Sequence, residues 1–350
     1  MNISAEIPVP AVEEILDDAV VVSLPMNTRF RGQTAREVLL FRGPQGWAEF
    51  GPFPEYGPEE SANWLRSGVE AAWQGLGEAL RTEIPVNATI PAVAADEVEG
   101  VVSRYRDPQA VPAVKIKVAE PGQDLADDLA RVAEVHRILP NAGLRVDANG
   151  AWNHQEAVTA LGQIAEIAGE RFEYAEQPVA GIEPLAELRE ALDALGIPVK
   201  IAADEAVRKS ADPLRVAQLG AAELIVVKAP PLGGIARALA VVQESGLDAV
   251  VSSALDTSVG HSAGIALASR LPRLPYACGL GTVTMFSSDV VTTPLVPQAG
   301  KLPALPQAPA PDPELLAAHR VTGDREQWWH QRVEAAYQHL SGTAASVSVQ

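Results

Sequence analysis

From residue 86 onward the chain repeats one pattern. A short apolar run gives way to a polar turn, then to a stretch with apolar residues at helical spacing. The runs begin near Val86, Val114, Leu144, Phe172, Lys200, Leu224, Ala249 and Tyr276, 24 to 30 residues apart. They are short and rich in β-branched residues, which favours strands. The stretches between them, Asp96–Tyr105, Asp124–Ile138, Asn153–Ile167, Pro184–Leu195, Pro213–Leu219, Gly234–Glu244 and Ser262–Arg270, predict helices. Strands alternating with helices at this interval predict an α/β fold with a parallel sheet. Eight strands fit a closed barrel better than an open sheet. No Gly-x-Gly-x-x-Gly follows the first strand, which weighs against a dinucleotide-binding fold.

Residues 1–85 follow a different pattern. Val20–Leu24, Glu37–Arg42 and Trp47–Phe50 predict short strands, with Gly43–Gly46 as a hairpin turn. Gly51–Glu60 is a Pro/Gly-rich loop, and Glu59–Arg81 predicts a helix. The expected organisation is a small α+β unit over 1–85, the barrel over 86–293, and a Pro-rich linker, a helix and a tail over 294–350. The helix, Pro313–Leu340 with Trp328 and Trp329, is expected to pack on the first unit or the barrel exterior. Gly342–Gln350 is expected to be disordered.

The second run changes this picture. Ala113–Val118 reads Ala-Val-Lys-Ile-Lys-Val, and residues two apart on a strand share a face. Lys115 and Lys117 therefore point the same way, and burying unpartnered ammonium groups is costly. Lysine is scarce here, six against 21 arginines. The other strand ends supply partners. The third delivers Asp147 and Asn149, the fourth Glu176, the fifth Asp204 and Glu205, the sixth Lys228, the seventh Ser252 and Ser253. Three successive strands each bring a carboxylate, flanked on either side by a strand that brings lysine.

Carboxylates gathered in one volume repel one another unless a cation joins them. Oxygen-only ligation favours a hard ion, Mg²⁺ first, with Mn²⁺ able to substitute. A carboxylate substrate bound to that ion has an acidified α-proton, and a lysine with its pKa lowered to about 7–8 can remove it.

Taken singly, each residue has an ordinary reading. Lys115 and Lys117 suit a solvated edge strand. Asp147-Ala-Asn-Gly is a good turn. Glu176 before Gln-Pro suits a surface strand end, and Asp204-Glu205 suits a helix cap. His261 reads as a packing or capping residue, and Cys278 as buried and inert. The ordinary readings do not account for the joint occurrence, in phase over five consecutive strands.

Lys-x-Lys, Asp-Ala-Asn, Glu-Gln-Pro, Ala-Asp-Glu and Val-Lys on successive strands resemble the enolase superfamily in its muconate-lactonizing subgroup. A lysine base with Mg²⁺ is a known property of that superfamily, not a deduction from spacing. Within the subgroup, Arg145 before Asp147, Ser252-Ser253 and Gly279-Leu280-Gly281-Thr282 look most like the o-succinylbenzoate synthase family. The resemblance implies a modified TIM barrel, (β/α)7β, with an α+β capping domain formed from both chain ends. It implies syn dehydration of a cyclohexadiene carboxylate, a step towards menaquinone. Lys117 would be the base, then the acid for the leaving hydroxyl. Lys228 would face the opposite side of the ring, and Lys115 would lower the base's pKa. Asp147, Glu176 and Asp204 would hold Mg²⁺, supported by Asn149 and Glu205. Arg145, Ser252, Ser253 and, in a capping loop, Arg29 and Arg31 would bind substrate. The same scaffold also admits N-acylamino acid racemases, dipeptide epimerases and cycloisomerases. The epimerases tend to carry Asp-x-Asp after the eighth strand, which Gly279–Thr282 lacks.

Charge and length set outer bounds. At net −18, from 27 basic and 45 acidic residues, no basic surface for nucleic acid or anionic membrane is expected, and a small carboxylate is the expected partner. One cysteine excludes an intrachain disulfide. Met1–Pro10 lacks a basic and apolar leader, and no apolar run reaches the roughly 18 residues of a spanning helix. A cytoplasmic protein is expected.

Overall fold

A computed structural model describes residues 7–30, 33–208 and 212–347, with the side chains of 28–30 and 341–347 excepted. The cap opens with helix α1 (Val12–Leu16), followed by β1 (Val20–Phe30), β2 (Gln33–Gly43) and β3 (Gly46–Phe50). These pair antiparallel in the order β1–β2–β3. Gly43 and Gly46 close a tight β2–β3 hairpin, with Gly46 at φ +135°. A Cβ on Gly43 would lie 2.5 Å from the Ala72 carbonyl oxygen, so glycine lets α2 (Pro58–Gln74) press against the hairpin. The helix expected over Glu59–Arg81 stops at Gln74, because Gly75 turns out of it at φ +80°.

The barrel follows β4 (Glu83–Pro85). Its strands are β5 (Ala88–Ile90), β6 (Ala113–Lys117), β7 (Gly143–Asp147), β8 (Phe172–Glu176), β9 (Ile201–Ala203), β10 (Leu224–Val227) and β11 (Asp248–Val251). They pair in parallel, in chain order. The connections carry α3 (Val98–Val102), α4 (Leu125–Ile138), α5 (His154–Ala168), α6 (Ile182–Leu195), α7 (Glu205–Arg208), α8 (Arg215–Gln218), α9 (Ala229–Leu232) and α10 (Ile235–Ser245). α11 (Ser258–Arg270) follows β11, four residues earlier than the expected start, because Thr257 caps it through the Val259 amide.

The expected eighth strand near Tyr276 forms only isolated bridges, yet it closes the ring. Cys278 N donates to Pro85 O at 2.7 Å, and Gly279 N donates to Val251 O at 2.8 Å. Next to these bridges the Arg145 guanidinium donates to the Ala277 carbonyl at 2.6 Å.

The Pro-rich segment stays against the molecule. Its β12 (Lys301–Pro303) pairs antiparallel with β4 below the barrel. After α12 (Pro313–His319), helix α13 (Asp324–Val347) packs on the cap helix α2. Trp329 stands edge-on to Phe50 at 6.0 Å, and its Nε1 donates to Glu37 at 3.1 Å. The disorder expected from Gly342 is not found through Val347. No proline interrupts that segment, and extending an established helix is cheap. Among the described residues no helix is long and apolar enough to cross a membrane.

Candidate active site

The strand register brings the charged side chains together. Lys117 stands beside Asp147 across β6–β7, and Asp147 beside Glu176 across β7–β8. Asp204 directly follows β9, and Lys228 directly follows β10. β6 and β10 lie four places apart around a ring of eight, so Lys117 and Lys228 approach the mouth from opposite sides.

Lys117 Nζ donates to Asp147 Oδ2 at 2.7 Å and to Asn149 Oδ1 at 2.6 Å. Lys115 Nζ bridges Glu176 Oε1 at 2.9 Å and Asp147 Oδ2 at 3.1 Å. Lys228 Nζ donates to both oxygens of Asp204 at 2.5 Å. Asn149 reaches this cluster with backbone φ +48°, a conformation asparagine tolerates well. All three carboxylates are at most 1% exposed.

Burial opposes ionisation of Asp147, but Lys117 and Lys115 overcome it and hold this carboxyl well below its usual range. Asp204 is lowered to about 2 against the same burial penalty, by Lys228 and then Arg208. Glu176 goes the other way, to about 7. Burial raises it first and the Asp147 charge second, with Lys115 opposing. Burial works against the Lys115 ammonium, yet Glu176 and Asp147 outweigh it and keep it protonated beyond the usual lysine range. The Lys115 ammonium is thus engaged by two carboxylates, one of which, Asp147, it shares with Lys117. For Lys228 burial wins over Asp204, and its pKa is lowered.

The donor set suits a hard divalent cation. It is all oxygen, and it stands on three adjacent strand ends. Among the described residues no three such side chains already converge on one point, because each carboxylate is turned to an ammonium group.

An open cleft lies over these groups. Ser252 and Ser253 line it, and Ser253 Oγ and Thr282 Oγ1 lie 2.5 Å apart. Glu205 sits at the edge, where its Oε1 accepts from Arg208 at 2.5 Å and from Asn149 at 3.5 Å. Arg145 does not line the cavity. It lies one layer lower, where Glu173 Oε2 at 2.6 Å, Asn87 Oδ1 at 3.0 Å and Ala277 O take its donors. The carboxylate expected for it is thus an internal one. Arg31 lies outside the described residues. Arg29 lies on β1, and its side chain is outside the description as well. His261 and Cys278 are buried, the thiol pushed up to about 11 by burial.

The sequence reading missed several contributors. Gln177 Oε1 accepts the amides of Asp204 at 3.0 Å and Ala206 at 3.1 Å, so β8 fixes the ligand that follows β9. Its only signal was its place between Glu176 and Pro178. Arg208 pairs with Asp204 at 3.1 Å. The cap wall of the cavity is Phe53, Tyr56 and Trp64, packed with ring centroids 5.7 to 6.1 Å apart. Two aromatic residues inside a Pro/Gly-rich loop were the available hint.

Residues 21–72 match the family described as Enolase N-terminal domain-like, and residues 95–309 the family described as Enolase C-terminal domain-like. The chain is 49% identical to the o-succinylbenzoate synthase of Mycolicibacterium smegmatis, over 94% of this chain and 98% of that protein. It is 46% identical to the one of Mycobacterium leprae, over 97% of both. In fold it resembles 2-chloromuconate cycloisomerase from Rhodococcus opacus, at TM-score 0.70 and 22% identity over 87% of this chain and 98% of that one. Muconate lactonizing enzyme from Pseudomonas putida is similar at TM-score 0.69 and 20% identity, with the same coverage.

Proposed function

The chain belongs to the o-succinylbenzoate synthases of the enolase superfamily, and on that footing we propose how its own residues perform the dehydration. The enzyme is a hydro-lyase that converts 2-succinyl-6-hydroxy-2,4-cyclohexadiene-1-carboxylate to o-succinylbenzoate.

Lys117, as the free amine, takes the proton from the carbon that bears the carboxylate. The electron pair moves into the carboxylate as an enediolate. It then returns to the ring as the neighbouring C–O bond breaks, and the ring becomes aromatic. The Lys117 ammonium gives its proton to the departing hydroxyl, so water leaves from the face that lost the proton. Lys228 approaches from the other side, where an ammonium stabilises the delocalised anion by charge and by cation–π contact. Asp147, Glu176 and Asp204 would hold Mg²⁺, which when bound acidifies the α-proton and stabilises negative charge on the carboxylate. Asn149 orients Lys117, Glu205 and Gln177 steady the carboxylate arc, and Ser252 with Ser253 hold the succinyl tail. We place the reaction in the cytoplasm, in menaquinone biosynthesis.

The observation that carries this reading is the pair Lys117 and Lys228, on opposite sides of three buried carboxylates. The test is loss of diene absorbance by purified protein with Mg²⁺. A chelator should abolish it and added Mg²⁺ restore it. Turnover that persists in chelator would remove the metal from the reading. No turnover with metal would move the substrate to the N-acylamino acids, read by α-proton exchange in D₂O.

A further inference from the structure

The loop after β11, residues 252–257, forms the barrel wall of the cavity through Ser252, Ser253, Ala254 and Leu255. Leu255 has φ +64°, a left-handed backbone that a leucine adopts only when its surroundings impose it. Within the loop the Ala254 amide donates to Asp256 Oδ2 at 2.9 Å, across Leu255, and two buried residues of the cap bond to the segment on either side. Arg36 on β2 donates from Nε to the Leu255 carbonyl at 2.9 Å. Its Nη2 donates to the Gly51 carbonyl, and its guanidinium lies 4.5 Å over the ring of Phe53. Glu49 on β3 accepts at Oε2 from the Thr257 amide at 3.0 Å and the Thr257 hydroxyl at 2.7 Å. The Glu49 carboxylate is received between glycines. A Cβ on Gly51 would lie 2.7 Å from its Oε1, and a Cβ on Gly260 2.6 Å from its Cδ.

Arg36 therefore touches both walls at once, Phe53 on the cap side and Leu255 on the barrel side. We infer that Arg36 and Glu49 are positioning residues that fix the barrel wall against the cap wall, and so set the width of the cavity for the substrate's tail. Neither residue lines the cavity, and neither contacts the lysines or the metal-ligand candidates in the bonds described. Arg36 and Glu49 share the loop: one holds the residue before Asp256, the other the residue after it. A strained backbone between two anchors keeps its shape only while both hold.

That the cavity receives the succinyl tail rests on the function proposed above, so the test reads the brace in two ways. Hydrogen–deuterium exchange of the peptide over 252–258 reads it without substrate. Arg36→Met and Glu49→Met should speed exchange there and leave β6–β8 unchanged. Glu49→Gln, which keeps an acceptor oxygen for Thr257, should hold the wild-type rate. With the diene acid, Glu49→Met should raise KM about tenfold while kcat changes less than about threefold, the pattern of binding lost equally from ground and transition states. Glu49→Gln should keep KM near normal. Unchanged exchange over 252–258 in a folded variant overturns the proposal, as does a fall in kcat with KM constant. If the wild-type protein does not turn over the diene acid, the function reading fails, and the exchange comparison still decides the brace.

Discussion

On the barrel side of the cavity, every reactive group stands within two residues of a strand end. Lys115, Lys117, Asp147, Glu176, Asp204 and Lys228 are all titratable and joined in amine–carboxylate contacts. On the cap side, the lining is Phe53, Tyr56 and Trp64, and the buried charges Arg36 and Glu49 stand behind it. The difference separates two tasks. Parallel strands hold charges at fixed spacing, because their own backbone bonds are already satisfied by neighbouring strands. Chemistry that needs a proton moved over one bond length is placed there. A cap of aromatic groups offers area and shape, and it is coupled to the barrel by a few charged anchors. Substitutions of the strand-end lysines and carboxylates should therefore act on kcat, and substitutions of the cap wall on KM.

The largest effect is expected at Lys117. Replacing it with alanine removes both the base and the acid of the proposed reaction, so kcat should fall at least about a thousandfold. Exchange of the α-proton with solvent should vanish with it. A variant that still exchanges this proton would pass the base role to Lys228, on the opposite side, and break the assignment of faces.

A smaller effect is expected on the cap. Phe53→Leu keeps an apolar group at 3% exposure but removes the ring under Arg36 and against Trp64. KM should rise about threefold to tenfold, with kcat within about twofold, as expected when binding is lost equally from ground and transition states. Steady-state kinetics on a variant checked for folding decides it. A fall in kcat alone would mean that the cap shares in the chemistry.

The two sides were unequally legible in the sequence, for the same physical reason. Strand ends announce themselves by period: Lys115 and Lys117 two apart, then one carboxylate per repeat, in phase. Period gives the face but not the height. Arg145 shares a face with Asp147, yet two residues at about 3.3 Å each put it a layer below, in reach of Glu173 and not of the cavity. The eighth run was found, but not its pairing by isolated bridges only, since pairing depends on strands far apart in the chain. The cap wall gave little signal. Phe53 and Tyr56 sit in a loop that reads as surface, and what covers them, Trp64 and Arg332 of α13, comes from elsewhere in the chain. Glu49 drew no notice within the strand predicted over Trp47–Phe50, because nothing local indicates that Thr257 will meet it, 208 residues away.

The last effect expected is a thermodynamic one, and it sharpens the contrast between the carboxylates of the two sides. Asp147 is held ionised by Lys117 and Lys115 against its burial. Glu49 is raised to about 8, by burial first and by the charge of Asp256 second. Arg36 and the two bonds from Thr257 only partly offset this. An unfolded glutamate titrates near 4.3. Between these values the folded protein binds a proton that the unfolded chain does not, so this group favours folding at low pH. Its contribution is full below about 4.3 and is lost as pH rises through about 8. Glu49→Gln is neutral at every pH and lacks this loss. The melting temperature of the variant, minus that of the wild type, should therefore increase steadily from pH 5 to pH 8. Melts in matched buffers read the difference directly. A flat difference would mean that Glu49 stays ionised and Arg36 neutralises it. The cap would then hold its charge as the barrel does, by pairing.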